Sequence, residues 1–478
     1  MSKTPSLPRN TLYSTLSAGS NLLLLVLVVL AARVLGDSAY GKFSFALAVA
    51  SIFEMPIDFG LNTLTVKNVA RRRELAPSYL HAILPWKLLL SMGAMALLVP
   101  VGLLLASEAD LRLAIYAMGL AIVLRTFKST SHSFFRAHER FDLVLLTTYT
   151  ERLAVVALCV LMLFKVGGLM PFVLAFAVAR IPDLFFSYWL LHKKIVRLGW
   201  RWDATAIRRI QVQALPFGSL NIVMVLYAYI GTVVLGVLRT TAEVGWYSAG
   251  YKIYEGLTMF PYILYAVLLP RLSNLYVTDN RAHGSVALRA VKYAFVASLP
   301  LAVCGWLLTP SIISTLFGQE YMRGVPALRA LFAAFVLMFP SWMLNAALVS
   351  ADRQGAVLKI AAIGLAVNGV ASYALITTWG VLGAGVAMLA AEACVLAMLL
   401  ATMHRRLFAV PIYALVWRPV SACIVAGGIA YWLQPSTALA VVAFPMLYVV
   451  SLLVLRTFDA KEWSELKHLF RARVAPPR

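Results

Sequence analysis

Apolar stretches of about 20 residues recur along the whole chain, and that is the length a helix needs to cross the hydrocarbon core of a bilayer. They fall at about 10–35, 42–66, 83–106, 111–135, 143–165 and 169–192. After a basic interval they resume at about 213–238, 244–272, 287–315, 325–350, 356–379 and 381–404, with two more at about 411–433 and 437–456. A segment this long and apolar satisfies its own backbone hydrogen bonds in lipid only as a helix. The expected fold class is an all-α polytopic membrane protein of about 14 transmembrane helices, grouped six, six and two.

Composition closes the soluble alternatives. The 478 residues are 62% hydrophobic and 13% charged, against roughly 45–50% and 25% in soluble chains. Once the spans are set aside, about 13 residues remain per loop, too few for a folded catalytic module. The net charge of +22 would suit nucleic acid only if the basic residues shared a soluble face; they lie in the turns between spans, so no nucleic-acid partner is expected. Cys159, Cys304, Cys394 and Cys423 each fall in a different apolar segment, which suggests neither disulfides nor a metal site. Gly36 to Lys42 fits most of a phosphate-binding loop, but Phe43 stands where Ser or Thr is required and no strand precedes it. HExxH and GxSxG are absent, so no catalytic residue, metal or cofactor is assigned and the chain is not expected to be an enzyme.

With the N-terminus in the cytoplasm, the turns assigned to that side collect about 29 Lys and Arg, against about 7 on the other. The asymmetry predicts an even number of spans, both termini cytoplasmic, and retention of Leu22 to Ala32 as part of the first span rather than a cleaved leader.

Three matches in order suggest a duplication. Gly41-Lys42-Phe43-Ser44 corresponds to Gly245-Trp246-Tyr247-Ser248, His138-Glu139-Arg140 to Ala351-Asp352-Arg353, and Gly168 to Gly383. A parallel repeat of this kind implies two pseudo-symmetric six-helix bundles around a central cavity. The expected organisation is a first bundle at 1–192, a basic cytoplasmic linker at 193–212, a second bundle at 213–408, two additional spans at 409–457, and a cytoplasmic tail at 458–478. The tail is amphipathic, with Trp463, Leu466, Leu469 and Phe470 set against charged residues, the pattern of a helix lying on a membrane surface.

Ionisable residues inside spans are costly and mark function by default. Twelve stand out: Glu54, Asp58, Lys87, Arg125, Lys128, Glu151, Arg152, Arg180, Asp183, Lys252, Glu255 and Glu392. Arg125, Lys128, His132 and Arg136 share one helical face, and Arg adds bidentate recognition of phosphate oxygens. Snorkelling to the surface accounts for Arg136 but poorly for Arg125. Arg180 with Asp183, and Lys252 with Glu255, are spaced to pair within a helix. Glu54 precedes Pro56, where a kink is expected; Tyr247, Tyr251 and Tyr254 recur at helical spacing, suited either to stacking on sugars or to an interfacial belt. The substrate-cavity candidates are Arg125, Lys128, Arg152, Arg180, Lys252, Tyr251 and Tyr254. The candidates for ion coupling or gating are Glu54, Asp58, Glu151, Asp183, Glu255 and Glu392.

Three stretches resemble a known family. Pro8-Arg9-Asn10 through Ala32-Arg33-Val34-Leu35-Gly36 and Tyr40-Gly41 to Phe45 is the first; Asp58-Phe59-Gly60-Leu61 with Val66 to Arg71 is the second; Val244 to Lys252 running to Leu269-Pro270-Arg271-Leu272-Ser273 is the third. They are similar to the Wzx-like oligosaccharide flippases of the polysaccharide-transport group, in the superfamily that also holds multidrug/toxin extrusion transporters and the lipid II flippase. The resemblance implies alternating access, with a polyprenyl-pyrophosphate-linked oligosaccharide moved from the cytoplasmic to the outer leaflet of the inner membrane for cell-surface polysaccharide biosynthesis. It also implies a structural or gating role for Asp58, and polysaccharide polymerase and glycosyltransferases as partners besides membrane lipids; since the sequence offers no nucleotide site, coupling to H+, Na+ or the membrane potential is expected, and so is a monomer. The alternatives are a cation-coupled antiporter of the multidrug/toxin type and, further off, a membrane glycan polymerase or glycosyltransferase.

Overall fold

The computed structural model describes residues 13, 16–17, 19–200, 202–432 and 437–457. Among them the secondary structure is helical throughout, with no strand. The tail at 458–478, with its expected surface helix, lies outside the described residues.

The helices are α1 (Asn21–Asp58), α2 (Leu61–Arg71), α3 (Ala76–Leu105), α4 (Ala109–Ala137), α5 (Phe141–Lys165), α6 (Leu169–Val178), α7 (Arg180–Lys194), α8 (Ala204–Leu238) and α9 (Thr241–Leu257). They continue with α10 (Met259–Thr278), α11 (Asn280–Leu316), α12 (Val325–Ser350), α13 (Gln354–Trp379), α14 (Val381–Arg406), α15 (Ile412–Trp432) and α16 (Thr437–Val454). Eleven described segments are long and apolar enough to cross a membrane by themselves. Three further crossings complete the expected fourteen. α1, at 38 residues, would be about 57 Å long if straight, and Gly36 breaks it in two with φ 78° and ψ 171°. α4 is long enough but carries four basic side chains, and α16 is short but apolar.

One span is broken where the sequence reading drew it whole. Span two stops at Asp58, turns through Phe59 (φ 36°) and Gly60 (φ 80°) in left-handed conformation, and resumes as α2. A Cβ on Gly60 would lie 2.5 Å from the Gly218 nitrogen, so both the dihedral and the close approach of α8 require glycine there. Span six continues from α6 into α7 through Ala179, and span eight from α9 into α10 through Thr258, both residues keeping helical dihedrals. The expected linker 193–212 is helical at both ends: α7 runs to Lys194, and α8 starts at Ala204 because Asp203 caps it, its carboxylate accepting from the backbone N–H groups of Thr205 and Ala206. Ile207, Ile210 and Ala214 then pack into the core formed with α2, α3, α4 and α7.

The duplication is written into turn geometry. Glu139 and Asp352 are both left-handed, at φ 58° and 57°, and each is followed by an Arg whose N–H reaches back five residues, Arg140 to Phe135 O and Arg353 to Leu348 O, both at 2.9 Å. The third match needs correcting. Gly168 (φ 80°) sits in a turn, but Gly383 lies inside α14, packed against the Leu375 carbonyl; the turn glycine of the second half is Gly380 (φ 55°). Spacing alone could not separate a glycine needed for its φ from one needed for its missing Cβ.

By contacts the chain forms two compact units whose bounds are not those of the sequence halves. One comprises Met1–Lys252, Ile312–Ala327 and Ala361–Met388; the other comprises Ile253–Ser311, Leu328–Ile360 and Leu389–Arg478. In the first, the turn at Gly36 to Gly41 interlocks with that at Arg239 to Gly245. Trp246 donates to Asp37 Oδ2 at 2.8 Å, Ser38 and Thr241 hydroxyls meet at 2.9 Å, and Tyr321 donates to the Ala32 carbonyl at 2.8 Å. Arg33 and Arg239 cap helix C-termini, on the Leu316 and Thr315 carbonyls and on those of Ile376 and Thr377. In the second, α15 and α16 pack on α11 through Cys423, Ala426, Phe444 and Tyr448.

Candidate functional site

α4 is the hub of the ionisable residues, since it packs against α1, α2, α3, α6 and α7 and carries Arg125 and Lys128 among small hydroxylated residues. Thr126, Thr130, Ser131 and Ser133 turn their hydroxyls onto carbonyls three or four residues back, which lets helices approach closely around the charges.

Three ionic groups result. Lys87 of α3 is completely buried and its ammonium donates to Asp58 Oδ1 at 2.7 Å, Asn62 Oδ1 at 3.0 Å and Thr130 Oγ1 at 2.8 Å. All three of its donors are used. Arg125 pairs with Glu54 of α1, and here the side chains remain 37% and 22% exposed. The third group is a four-membered cluster. Lys128 reaches Glu151 Oε2 at 2.7 Å, Asp183 Oδ2 at 2.6 Å and the Thr147 carbonyl at 2.7 Å; Arg180 donates to Glu151 Oε1 at 3.1 Å and to Phe176 O at 2.9 Å, its guanidinium 4.2 Å from the Phe176 ring. Asp183 Oδ1 accepts from Thr150 at 2.7 Å, and His132 meets the Thr147 hydroxyl at 2.8 Å.

These pairings correct the intrahelical pair expected from spacing. Arg180 and Asp183 exchange partners with α5 and α4 instead, because both side chains are buried in the bundle, where Glu151 and Lys128 stand within reach. Asp58 is held by Lys87 rather than presented to an open surface. Five cations, Lys87, Arg125, Lys128, Arg152 and Arg180, thus meet four carboxylates, Glu54, Asp58, Glu151 and Asp183. The excess falls at Arg152 of α5: among the described residues it is in no ion pair, Nη2 reaches Asn21 Oδ1 at 3.4 Å, and its buried Nε has no hydrogen-bond partner. Arg125, Arg152 and Arg180 are near enough to act on one another electrostatically.

The remaining candidates lie elsewhere. On α9, Lys252 is partly buried and Glu255 exposed; Tyr251 packs its ring 5.7 Å from that of Tyr247. Tyr254 was expected to line a cavity, but it is 2% exposed with its hydroxyl on the Met338 sulfur at 3.1 Å. Glu392 is buried on α14. Sequence reasoning missed Asn62, Thr130, Thr147, Thr150 and Asn21, neutral residues that become ligands only when helices meet. Asn62, directly after the Asp58-Phe59-Gly60-Leu61 motif, offered the one local signal.

The sequence model of the polysaccharide biosynthesis protein family matches residues 7–276. The chain belongs to that family. A search of curated proteins by sequence returns no match. Among solved structures, "Lipid II flippase MurJ, inward closed conformation" aligns with a TM-score of 0.76 at 13% identity, over 93% of this chain and 99% of that one. A multidrug resistance MATE family transporter of the MOP superfamily aligns in its inward-facing conformation with a TM-score of 0.67, 15% identity, and coverage of 81% and 94%. Its outward-facing form gives 0.58 at 17% identity, with coverage of 83% and 94%. At these identities the likeness establishes a shared fold for this family member, and the chemistry is argued from its own residues.

Proposed function

We propose that this multi-pass membrane protein is a flippase that carries a polyprenyl-pyrophosphate-linked oligosaccharide from the cytoplasmic to the outer leaflet of the inner membrane by alternating access. Family membership supports the substrate class, and the fold shared with a lipid II flippase supports the mode of action. The observation that carries the reading is the uncompensated positive charge of Arg152 beside the half-exposed Arg125 and Glu54. A pyrophosphate brings concentrated negative charge and needs fork-shaped donors in a medium where water does not compete. Arg152 offers an unused Nε, and Arg125 is held by a single exchangeable carboxylate. The shared fold with MATE transporters leaves an antiporter of cations as the competing reading. It is disfavoured because Asp58, Glu151 and Asp183 are each already occupied by a buried basic side chain, which leaves Glu54 alone of the four to exchange.

In proteoliposomes holding labelled lipid-linked oligosaccharide, transfer between leaflets should proceed without ATP and respond to an imposed potential, which supplies about 2.3 kcal/mol per charge per 100 mV. Arg152→Gln should slow it by about tenfold or more, the loss of one charge-assisted hydrogen bond, and Arg152→Lys should retain part of the rate. Wild-type rates in Arg152→Gln and in Arg125→Ala would overturn the reading. Coupling to H+ or Na+ through Glu54, and association with polymerase and glycosyltransferases, belong to the same proposal.

Cytoplasmic termini are part of it too. Single cysteines near Ser107 and Gly168 should react with an impermeant thiol reagent in whole cells, and cysteines near Ser78 and Thr205 should not. Labelling on the opposite side at both members of either pair would reverse the orientation.

A further inference from the structure

We propose that Tyr262, Tyr265, Trp342 and Asn345 form a platform for the sugar rings of the transported oligosaccharide. The inference rests on the function proposed above and adds to it where the glycan, as distinct from the pyrophosphate, is held. All four residues belong to one compact unit. Trp342 of α12 meets both tyrosines of α10 edge to face, its ring centroid 6.3 Å from that of Tyr262 at 80° and 5.9 Å from that of Tyr265 at 84°. Such packing fixes the planes of the rings, and Tyr262 still keeps 59% of its surface exposed. Asn345 follows Trp342 by three residues and so shares its face of α12. Its amide both donates and accepts, which is what adjacent sugar hydroxyls require, while an open aromatic face takes the C–H side of a pyranose.

The polar tips of the platform are unused. Neither tyrosine hydroxyl, nor the Trp342 indole N–H, nor the Asn345 amide has a hydrogen-bond partner among the described residues, and those of Tyr265, Trp342 and Asn345 are open to the surface. Depth makes this significant. Tyr265 and Tyr262 stand six and nine residues before Arg271, and Trp342 eight before Ser350, on the ends that the Lys and Arg bias assigns to the cytoplasm. At 1.5 Å per residue the three lie about 9, 14 and 12 Å along their helices, whereas the head-group layer is only about 5–8 Å thick. An interfacial belt would sit nearer the ends. Facing hydrocarbon at that depth, these donors would be left unsatisfied; facing water, they are available to a polar ligand.

α10 itself separates the two environments. Phe260, Ile263 and Val267 are exposed and purely apolar, and helical periodicity puts them on the side of α10 opposite Tyr262 and Tyr265. One face of the helix therefore suits lipid and the other does not. Tyr254, expected from its spacing to take this role, spends its hydroxyl on the sulfur of Met338, one turn before Trp342. None of the four platform residues carries a charge, so the platform offers nothing to a pyrophosphate and everything to a neutral sugar. In chemistry it complements Arg125 and Arg152, and it shares no residue with the cluster around α4.

The test titrates purified full-length protein with two probes, labelled lipid-linked oligosaccharide extracted from the source cells and bare polyprenyl pyrophosphate. The wild-type protein should bind the first about tenfold more tightly, as one or two aromatic contacts allow. Trp342→Leu and Asn345→Leu should remove most of that preference without weakening the bare probe, and Trp342→Phe should keep part of it; Arg152→Gln should weaken both probes alike. Binding of neither probe by wild-type protein sinks the flippase reading, and the platform with it. Equal binding of the two, or a preference unchanged in Trp342→Leu and Asn345→Leu, leaves that reading standing and overturns the platform. Should the leucine variants not fold, Asn345→Cys in a background without Cys159, Cys304, Cys394 and Cys423 gives a second measurement. It should react with a water-soluble thiol reagent and be protected by the lipid-linked oligosaccharide. Absence of reaction places Asn345 against lipid and overturns the proposal, and equal protection by bare polyprenyl pyrophosphate assigns the site to the lipid carrier and overturns it as well.

Discussion

Lys87→Met should cost about 3–5 kcal/mol of stability, the usual penalty when one partner of a buried ion pair is removed and the other is left uncompensated. Lys87 has no exposed surface and satisfies Asp58, Asn62 and Thr130 at once. Without it the Asp58 carboxylate, beside the left-handed turn at Phe59 and Gly60, has no cation among the described residues. The double variant Lys87→Met/Asp58→Asn should recover most of the loss, since replacing both partners removes the stranded charge. Thermal melting of purified protein checks both. Equal destabilisation in the double variant would mean that the ammonium's contacts to Asn62 and Thr130, rather than its charge on Asp58, hold the turn. The family-motif Asp58 then serves first to anchor the break between α1 and α2, whatever it contributes to gating.

Gly41→Ala should abolish most transport while leaving the protein folded. A Cβ at Gly41 would stand 1.7 Å from the Thr241 carbonyl oxygen, and one at Gly245 would stand 2.2 Å from that of Asp37. The two contacts are reciprocal under the duplication, each glycine lying against the other half's turn, and in both the obstacle is backbone that cannot swing aside. If relief of the clash costs about 3 kcal/mol, the interlocked arrangement becomes about a hundredfold rarer relative to any arrangement in which the turns part. A transporter that must pass through the interlocked state at every cycle slows in proportion. Ser44, one turn along and 8% exposed, should when replaced by cysteine become reactive to an impermeant thiol reagent in the Gly41→Ala background. Gly93→Ala is the control, since nothing lies within 4 Å of its added Cβ. Transport and labelling in Gly41→Ala that match the Gly93→Ala control would show that the interlock is not a step of the cycle.

Which charges lie within the membrane was legible from hydropathy, because an ionisable residue in a long apolar run stands out whatever its neighbours. Partnership was not. Arg180 and Asp183 are three apart and could pair within one helix, yet the approach of α4 and α5 redirects them to Glu151 and Lys128. The face shared by Arg125 and Lys128 reads as a reservoir of positive charge, but both side chains are spent on carboxylates from other helices. Arg152, one of seven substrate-cavity candidates in the sequence, becomes the cation in no ion pair among the described residues.

By itself the sequence established about fourteen apolar spans, motifs that recur in order along the chain, and the family it resembles. Apolar length, loop charge and turn glycines are local properties, and local properties survive in one dimension. Only the tertiary structure decided where the positive charge is left over, which glycines touch the opposite half, and that Tyr254 is buried on Met338. Each of these is a relation between residues far apart in the chain. In a low-dielectric bundle the value of a charge depends on the partner within about 3 Å of it, and helix packing chooses that partner.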